Sequence, residues 1–279
     1  KHPHCLSSRT SAMPNYQAIS KQAYGNKRWL RTTSYAFALK DGILPLSLAE
    51  LPKAIMSQPV AFVQREEGFV PMAVMSLQPD RNHFVTNDGR WLHGYIPASC
   101  RGYPFRFFNA PDGKQILCID QDSGLVSDGP EGEPFFDEAG EPTQAIREIL
   151  NFLHQSEQSL KATQLACDLL KQHSLIKPWP IKLKTETGEK NIAGLFQIDE
   201  AALNLLSAEA LLEIRNSGGL LLAYCQLLSM QHLSFLGQLA EAHAKADKAA
   251  AEAANNIVQN GELNIEFLKK NETLSFTGF

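Results

Sequence analysis

The chain has 279 residues, 44% of them hydrophobic and 20% charged, with a formal net charge of −4. That is enough chain for one large domain or two modest ones, and the composition is that of an ordinary globular protein. The mild acidity argues against a general binder of nucleic-acid backbones, which would carry a basic face; the cluster Lys21, Lys27, Arg28 and Arg31 reads as solvated surface.

Residues Lys1 to Ala12 show no periodicity and are expected to be a disordered extension or tag, with Met13 as the natural start. One α+β domain is expected over 13–279. It comprises a mostly antiparallel β-rich part (13–122), a loop (123–142), a helical part with one hairpin (143–254) and terminal strands (263–279). Thr32 to Leu39 alternates loosely and reads as a strand. Leu48, Leu51 and Ile55 have helical spacing, with Ser47 as the expected N-cap. Pro59 to Gln64 and Phe69 to Leu77 flank Arg65-Glu66-Glu67-Gly68 and predict a hairpin. Further strands are predicted at His83 to Thr86, Trp91 to Ile96, Phe105 to Phe108 and Gln115 to Ile119, with turns at Asn87-Asp88-Gly89 and Pro111-Asp112-Gly113.

Ser123 to Gly140 is rich in Gly, Pro, Asp and Glu, and reads as a long loop. Ile146, Ile149, Leu150, Leu153, Leu160, Cys167 and Leu170 form a helical stripe, stopped by Pro178 and Pro180. Ile181 to Thr185 and Asn191 to Ile198 predict a second hairpin. Asp199 and Ser207 are placed as N-caps of short helices, and Gly218 as a left-handed stop. A long helix from about Gly219 to Ala254 is expected to turn Leu220, Tyr224, Leu227, Leu228 and Phe235 inward. The longest apolar run, Gly218 to Met230, falls short of the ~20 residues a bilayer helix needs, so no membrane span is expected. Leu263 to Phe267 and Leu274 to Phe279 read as closing strands. The five scattered cysteines show no CxxC spacing, and a reducing cytoplasm is the plain reading.

The most distinctive stretch runs from Asn82 to Phe108. It sets Trp91, Tyr95, Tyr103, Phe105, Phe107 and Phe108 around Pro97, Pro104 and Arg101. Aromatics beside fixed-φ prolines and a planar cation build either a packed corner fixed by Arg101 or a groove. In the groove reading Trp91, Tyr95, Tyr103 and Phe105 form the walls, and Arg101 is the fork for a carboxylate of a peptide or small molecule. The corner reading is the heavier of the two. His83, Asp88 and His93 match no metal-ligand spacing, and no metal or other cofactor is expected. Cys100 beside Arg101 lacks an orienting third residue for a nucleophile. Asp137, Glu138 and Glu141 read as a solvated acidic loop.

Trp91-x-x-x-Tyr95-x-Pro97-x-x-x-Arg101-x-Tyr103-Pro104-Phe105 resembles the central motif of the bacterial SapC-like family, named for a protein linked to a crystalline surface layer. Pro45-Leu46 followed by Glu50, Pro59-Val60-Ala61-Phe62, Phe136-Asp137-x-x-Gly140-Glu141-Pro142, Gly194-Leu195-Phe196-x-Ile198-Asp199-Glu200 and Gly219-Leu220 to Leu228-Ser229 are similar to that family as well. The resemblance runs from about Tyr16 to Leu239. It implies a bacterial, soluble accessory or binding protein, non-catalytic, in a peptide or small-molecule modification or uptake pathway. The gene neighbourhoods usual for the family add an alternative, an enzyme subunit beside an oxygenase- or halogenase-like partner. A surface-layer component exported without a cleaved signal is a third reading.

Overall fold

The structure, a computed structural model, describes residues 15–110, 113–185 and 188–259. The N-terminal extension and the two closing strands expected from the sequence lie outside the described residues. The chain divides into two compact units, Lys1–Leu236 and Gly237–Phe279. Antiparallel sheets occupy the N-terminal half and helices the C-terminal half, so the fold is α+β, as the sequence predicts.

Among the described residues the first unit is organised on four sheets. The largest has five strands in the order β10-β13-β4-β5-β3. Its centre is the hairpin β4 (Val60–Arg65) and β5 (Gly68–Val74), turning at Glu66-Glu67 where Gly68 takes a φ of 130°. β3 (Ile43–Pro45) pairs with β5; β10 (Ile176–Pro178) and β13 (Phe196–Ile198) close the other side, where β13 meets β4 through the single register pair Phe196–Phe62. A second sheet joins β1 (Tyr16–Ala18), β7 (Gln115–Asp120) and β6 (Phe105–Asn109). The third sets the two-residue strand β2 (Arg28–Trp29) between β8 (Val126–Ser127) and β9 (Glu133–Pro134). A separate ribbon pairs β11 (Ile181–Thr185) with β12 (Gly188–Ile192).

Helix α4 (Gln144–Gln172) ties two cores together, and its 29 residues span roughly 43 Å. Thr143 caps it by accepting from the Ile146 N–H at 3.5 Å. Its N-terminal turns cover an aromatic core of Tyr24, Trp29, Phe105, Ile119 and Phe135 with Ile146. Its C-terminal turns bury Ala166, Cys167 and Leu170, and the helix packs on β5 and on α7 (Gly219–Ser229). The short helices are α1 (Lys21–Tyr24), α2 (Leu51–Ala54), α3 (Ala98–Arg101), α5 (Glu200–Asn204) and α6 (Ala208–Asn216). Asp199 and Ser207 cap the last two as predicted, and Gly218 is left-handed at φ 82°.

Several expectations fail for identifiable reasons. Thr32 to Leu39 is not a strand: Tyr35 donates to the Gly89 carbonyl, Ala36–Ala38 is a 3-10 turn, and the Tyr35 and Phe37 rings pack tilted against each other at 6.1 Å. His83 to Thr86 and Trp91 to Ile96 contribute only the isolated bridge Val85–Trp91. Asn82 replaces strand pairing there, accepting from the Phe84 N–H and donating to the Ala38 carbonyl. The 123–140 loop contains β8 and β9. Helix α4 ends at His173 and Ser174, the latter at φ 56°, before either proline. The second hairpin closes on β12, while β13 leaves to join the large sheet.

The long C-terminal helix is divided by a 3-10 turn, Met230–His232, from α8 (Leu233–Gln259). Its predicted inward face is out of phase. Tyr224 and Leu228 are exposed, and α7 buries Leu222, Ala223, Cys225, Gln226 and Ser229. The polar pair decides the rotation. Gln226 accepts from the Ile198 N–H at 2.9 Å and donates to the Val60 carbonyl at 3.2 Å, while Ser229 accepts from the Val60 N–H at 2.9 Å. These bonds satisfy backbone groups at the weakly paired β4–β13 seam, which would otherwise be buried without partners. By length and composition Gly219–Glu252 would pass as a membrane span; the α7 part of it buries one face and leaves Leu221, Tyr224 and Leu228 exposed.

Candidate functional site

The segment 47–50 leads into α2, and α4 holds it from the side: Thr163 Oγ1 accepts from the Leu48 N–H at 2.8 Å and Ser159 Oγ from the Ala49 N–H at 3.2 Å. Ser47 does not cap α2. Glu50 stands at that N-terminus, and its side chain turns back to Ser47. Glu50 Oε2 accepts from the Ser47 N–H at 2.9 Å and from Ser47 Oγ at 2.8 Å. Its other oxygen accepts from the Ala98 N–H at 2.6 Å and from the Tyr95 hydroxyl at 3.2 Å. A 6% exposed carboxylate is thus held by four donors from two chain segments.

Tyr95 passes the arrangement outward. Its hydroxyl donates to Glu50 and accepts from Arg101 Nη2 at 2.7 Å. Burial raises the pKa of Tyr95, with the negative Glu50 beside it acting in the same direction. Gln58 donates to the Tyr95 carbonyl, and Ser57 Oγ accepts from its N–H at 3.2 Å. Gly94 is left-handed at φ 77°, and a Cβ there would stand 2.1 Å from Ser57 Oγ. Arg101, the last residue of α3, donates from Nε to the Ile96 carbonyl at 3.0 Å. Its guanidinium carbon lies 5.4 Å from the Tyr95 ring centre and 4.9 Å from that of Phe152 on α4. Arg101 remains exposed, and no ion pair joins it to a carboxylate among the described residues.

The five residues read as one groove from the sequence, four aromatic walls and the Arg101 fork, fall in three surroundings. Tyr95 and Arg101 meet at the Glu50 hub. Trp91 packs edge-on to Tyr35 at 5.5 Å and donates from its indole to the His93 carbonyl at 2.9 Å. Tyr103 stacks on Phe37 at 3.8 Å and donates to Asp120 at 3.3 Å; burial and the Asp120 charge raise its pKa. Trp91, Tyr35, Phe37 and Tyr103 therefore make a half-exposed aromatic row. Phe105 lies in the aromatic core, edge-on to Trp29 at 4.9 Å and 5% exposed. Phe152, Ser47 and the hub role of Glu50 are the parts that the sequence reading missed.

The thiols are inert by environment. Cys100 is 1% exposed, and burial pushes its thiol up to about 12; Cys167 is pushed up to about 12 in the same way. Among the described residues no group of three or more His, Cys, Asp or Glu is placed to hold a metal ion. Asp137 accepts from the Glu141 N–H at 2.9 Å and faces Arg147 at 3.8 Å. With Glu138, Lys21, Lys27 and Asp128 it lines an open, polar cleft of about 560 Å³.

The sequence model of the SapC family matches residues 19–236, a span that holds the Glu50–Tyr95–Arg101 hub, both cores and α7. The chain belongs to the SapC family. No curated protein and no solved structure matches it.

Proposed function

We propose that this SapC-family chain is a non-catalytic binding protein that captures a carboxylate-bearing small molecule or peptide at Arg101, in service of a modification or uptake pathway. One observation carries the reading: Arg101 is exposed, flanked by the Tyr95 and Phe152 rings, and free of a carboxylate partner among the described residues. Its Nε and one Nη are already fixed by Ile96 and Tyr95. A guanidinium held this way loses little freedom on binding, and its remaining donors suit a planar carboxylate. Glu50 acts behind it as a positioning residue through Tyr95.

The test is affinity purification of the full chain and of Arg101→Met from the native host, with mass spectrometry of bound proteins and extracted small molecules. The expected result is an acidic small molecule or peptide retained by the parent chain and lost from Arg101→Met, with both melting within about 4 °C of each other. Retention of the same acid by both proteins refutes the reading. A modifying enzyme held equally by both would favour instead an enzyme subunit working beside an oxygenase- or halogenase-like partner.

A further inference from the structure

Strand β6 is the last strand of its sheet and pairs with β7 on one side only. The register runs without a bulge from Phe105–Ile119 to Asn109–Gln115. Two bonds bracket it: the Asp120 N–H donates to the Pro104 carbonyl at 3.0 Å, and the Ala110 N–H to the Lys114 carbonyl at 2.8 Å. They make the even-numbered residues the ones that bond to β7. Antiparallel pairing alternates, so Phe105, Phe107 and Asn109 aim their N–H and C=O groups away from β7. The Phe105 N–H turns back to the Gly102 carbonyl at 2.8 Å. Among the described residues the N–H groups of Phe107 and Asn109 and the carbonyls of all three have no hydrogen-bond partner. Natural sheet edges are blunted by prolines or bulges, and β6 has neither. Phe108 and Asn109 are exposed, while α4 covers the face of Phe105 and Phe107, with the His154 ring 4.6 Å from that of Phe107.

We propose that β6 receives an extended peptide as an added antiparallel strand, and that the peptide ends there with its C-terminal carboxylate on Arg101. The proposal rests on the reading of Arg101 as a carboxylate site and narrows the ligand to a chain terminus. A row of backbone donors and acceptors at strand spacing calls for another backbone. Arg101 stands at the N-terminal end of that row. Gly102, the next residue, holds the Phe105 N–H, and the Phe152 ring, 4.9 Å from the guanidinium carbon, would lie 3.5 Å from a Cβ at Gly102. An antiparallel peptide brings its C-terminus to that end, whereas a parallel one would bring a cationic N-terminus to the arginine. The last peptide residue then faces Phe105 and donates to its carbonyl. The third from last exchanges two bonds with Phe107, and the fifth from last exchanges two with Asn109. Because the Phe105 N–H is already taken, pairing stops at the last residue. The acceptor left over there is the terminal carboxylate, and the guanidinium is the donor beside it.

The experiment is titration calorimetry of the full chain with acetyl-Thr-Val-Thr-Val-Val, whose β-branched residues favour the extended form, together with hydrogen exchange of the complex. Binding is expected, with exchange slowed over Phe105–Asn109. Amidation of the peptide's C-terminus and Arg101→Met should each weaken binding about tenfold or more. N-methylation of the third residue from the end, whose N–H faces Phe107, should do the same. N-methylation of the next-to-last residue, whose N–H faces away, should leave binding unchanged. If acetylvaline binds as tightly as the pentapeptide, or methylation of the third residue costs nothing, the added strand is overturned while the carboxylate site stands. If the amidated peptide binds like the free acid, or Arg101→Met binds like the parent, capture of the terminus is overturned and the Arg101 reading falls with it. No binding at about 1 mM overturns the added strand, and the ligand captured from the native host then decides Arg101 separately.

Discussion

Replacing Glu50 by Gln asks whether the hub needs a carboxylate. The side chain keeps its shape, but one acceptor oxygen becomes an amide that donates. Whichever way the amide turns, it faces donors: the Ser47 N–H and hydroxyl on one side, the Ala98 N–H and Tyr95 hydroxyl on the other. Each lost bond to the charged group is worth about 1.5–3 kcal/mol. Part of this is offset, since a neutral amide is less costly to hold at 6% exposure than a carboxylate. The net expectation is a loss of about 2–4 kcal/mol. Urea unfolding should show a lower midpoint at an unchanged slope, the mark of altered stability without altered compactness. Tyr95→Phe and the double variant complete a cycle, in which the two effects should add to less than their sum because the groups share one bond. A loss below about 1 kcal/mol for Glu50→Gln would refute the four-donor account.

Gln226→Leu should cost about 2–4 kcal/mol, because it strands the Ile198 N–H and the Val60 carbonyl in the core; calorimetry that finds the variant unchanged would mean the β4–β13 seam does not depend on the bridge. Gly94→Ala should cost about 1–3 kcal/mol through its φ of 77° and the collision with Ser57, and melting within error of the parent would count against the close approach. Cys100 and Cys167 have thiols raised in the fold from 9.0 to about 12, so the unfolded chain ionises first. Their contribution is complete below pH 9 and is lost as pH rises from there toward 12, which unfolding measured at pH 8, 9 and 10 will show as a decline that weakens in a Cys100→Ala, Cys167→Ala double variant. At pH 8 neither thiol should react with a disulfide reagent until the protein is denatured.

What was legible in the sequence is what local chemistry decides. The β4–β5 hairpin, the β6 and β7 strands, the α4 stripe (apart from Leu160, which is 41% exposed) and the Asp199 and Ser207 caps each depend on residues within a few positions of one another. Strands β2, β8 and β9 are two residues long, too short to show an alternation. In Thr32–Leu39 and Trp91–Ile96 the aromatic residues that suggested strands serve ring-to-ring packing instead. Helix α7 is apolar on nearly every side, so periodicity could not give its phase; the two polar side chains that set it answer to backbone groups in distant strands. At the site, Tyr95 and Arg101 stood out through their motif. Glu50 stood in the family pattern after Pro45-Leu46, but its role was not legible there, because it exists only once Ala98, 48 positions away, is brought to it.

The seam between β4 and β13 also bears on how this protein is made. Val60 must wait for Gln226, 166 positions later, before its carbonyl is satisfied. During synthesis the β4–β5 hairpin therefore leaves the ribosome with one side of β4 open, and α4 is complete before the strand that closes that side appears. An open strand edge recruits other strands, and long-range pairing of this kind is slow. The nascent chain is thus most exposed to wrong pairing in the interval between Val60 and Phe196, and any fragment ending inside that interval carries the same unfinished edge.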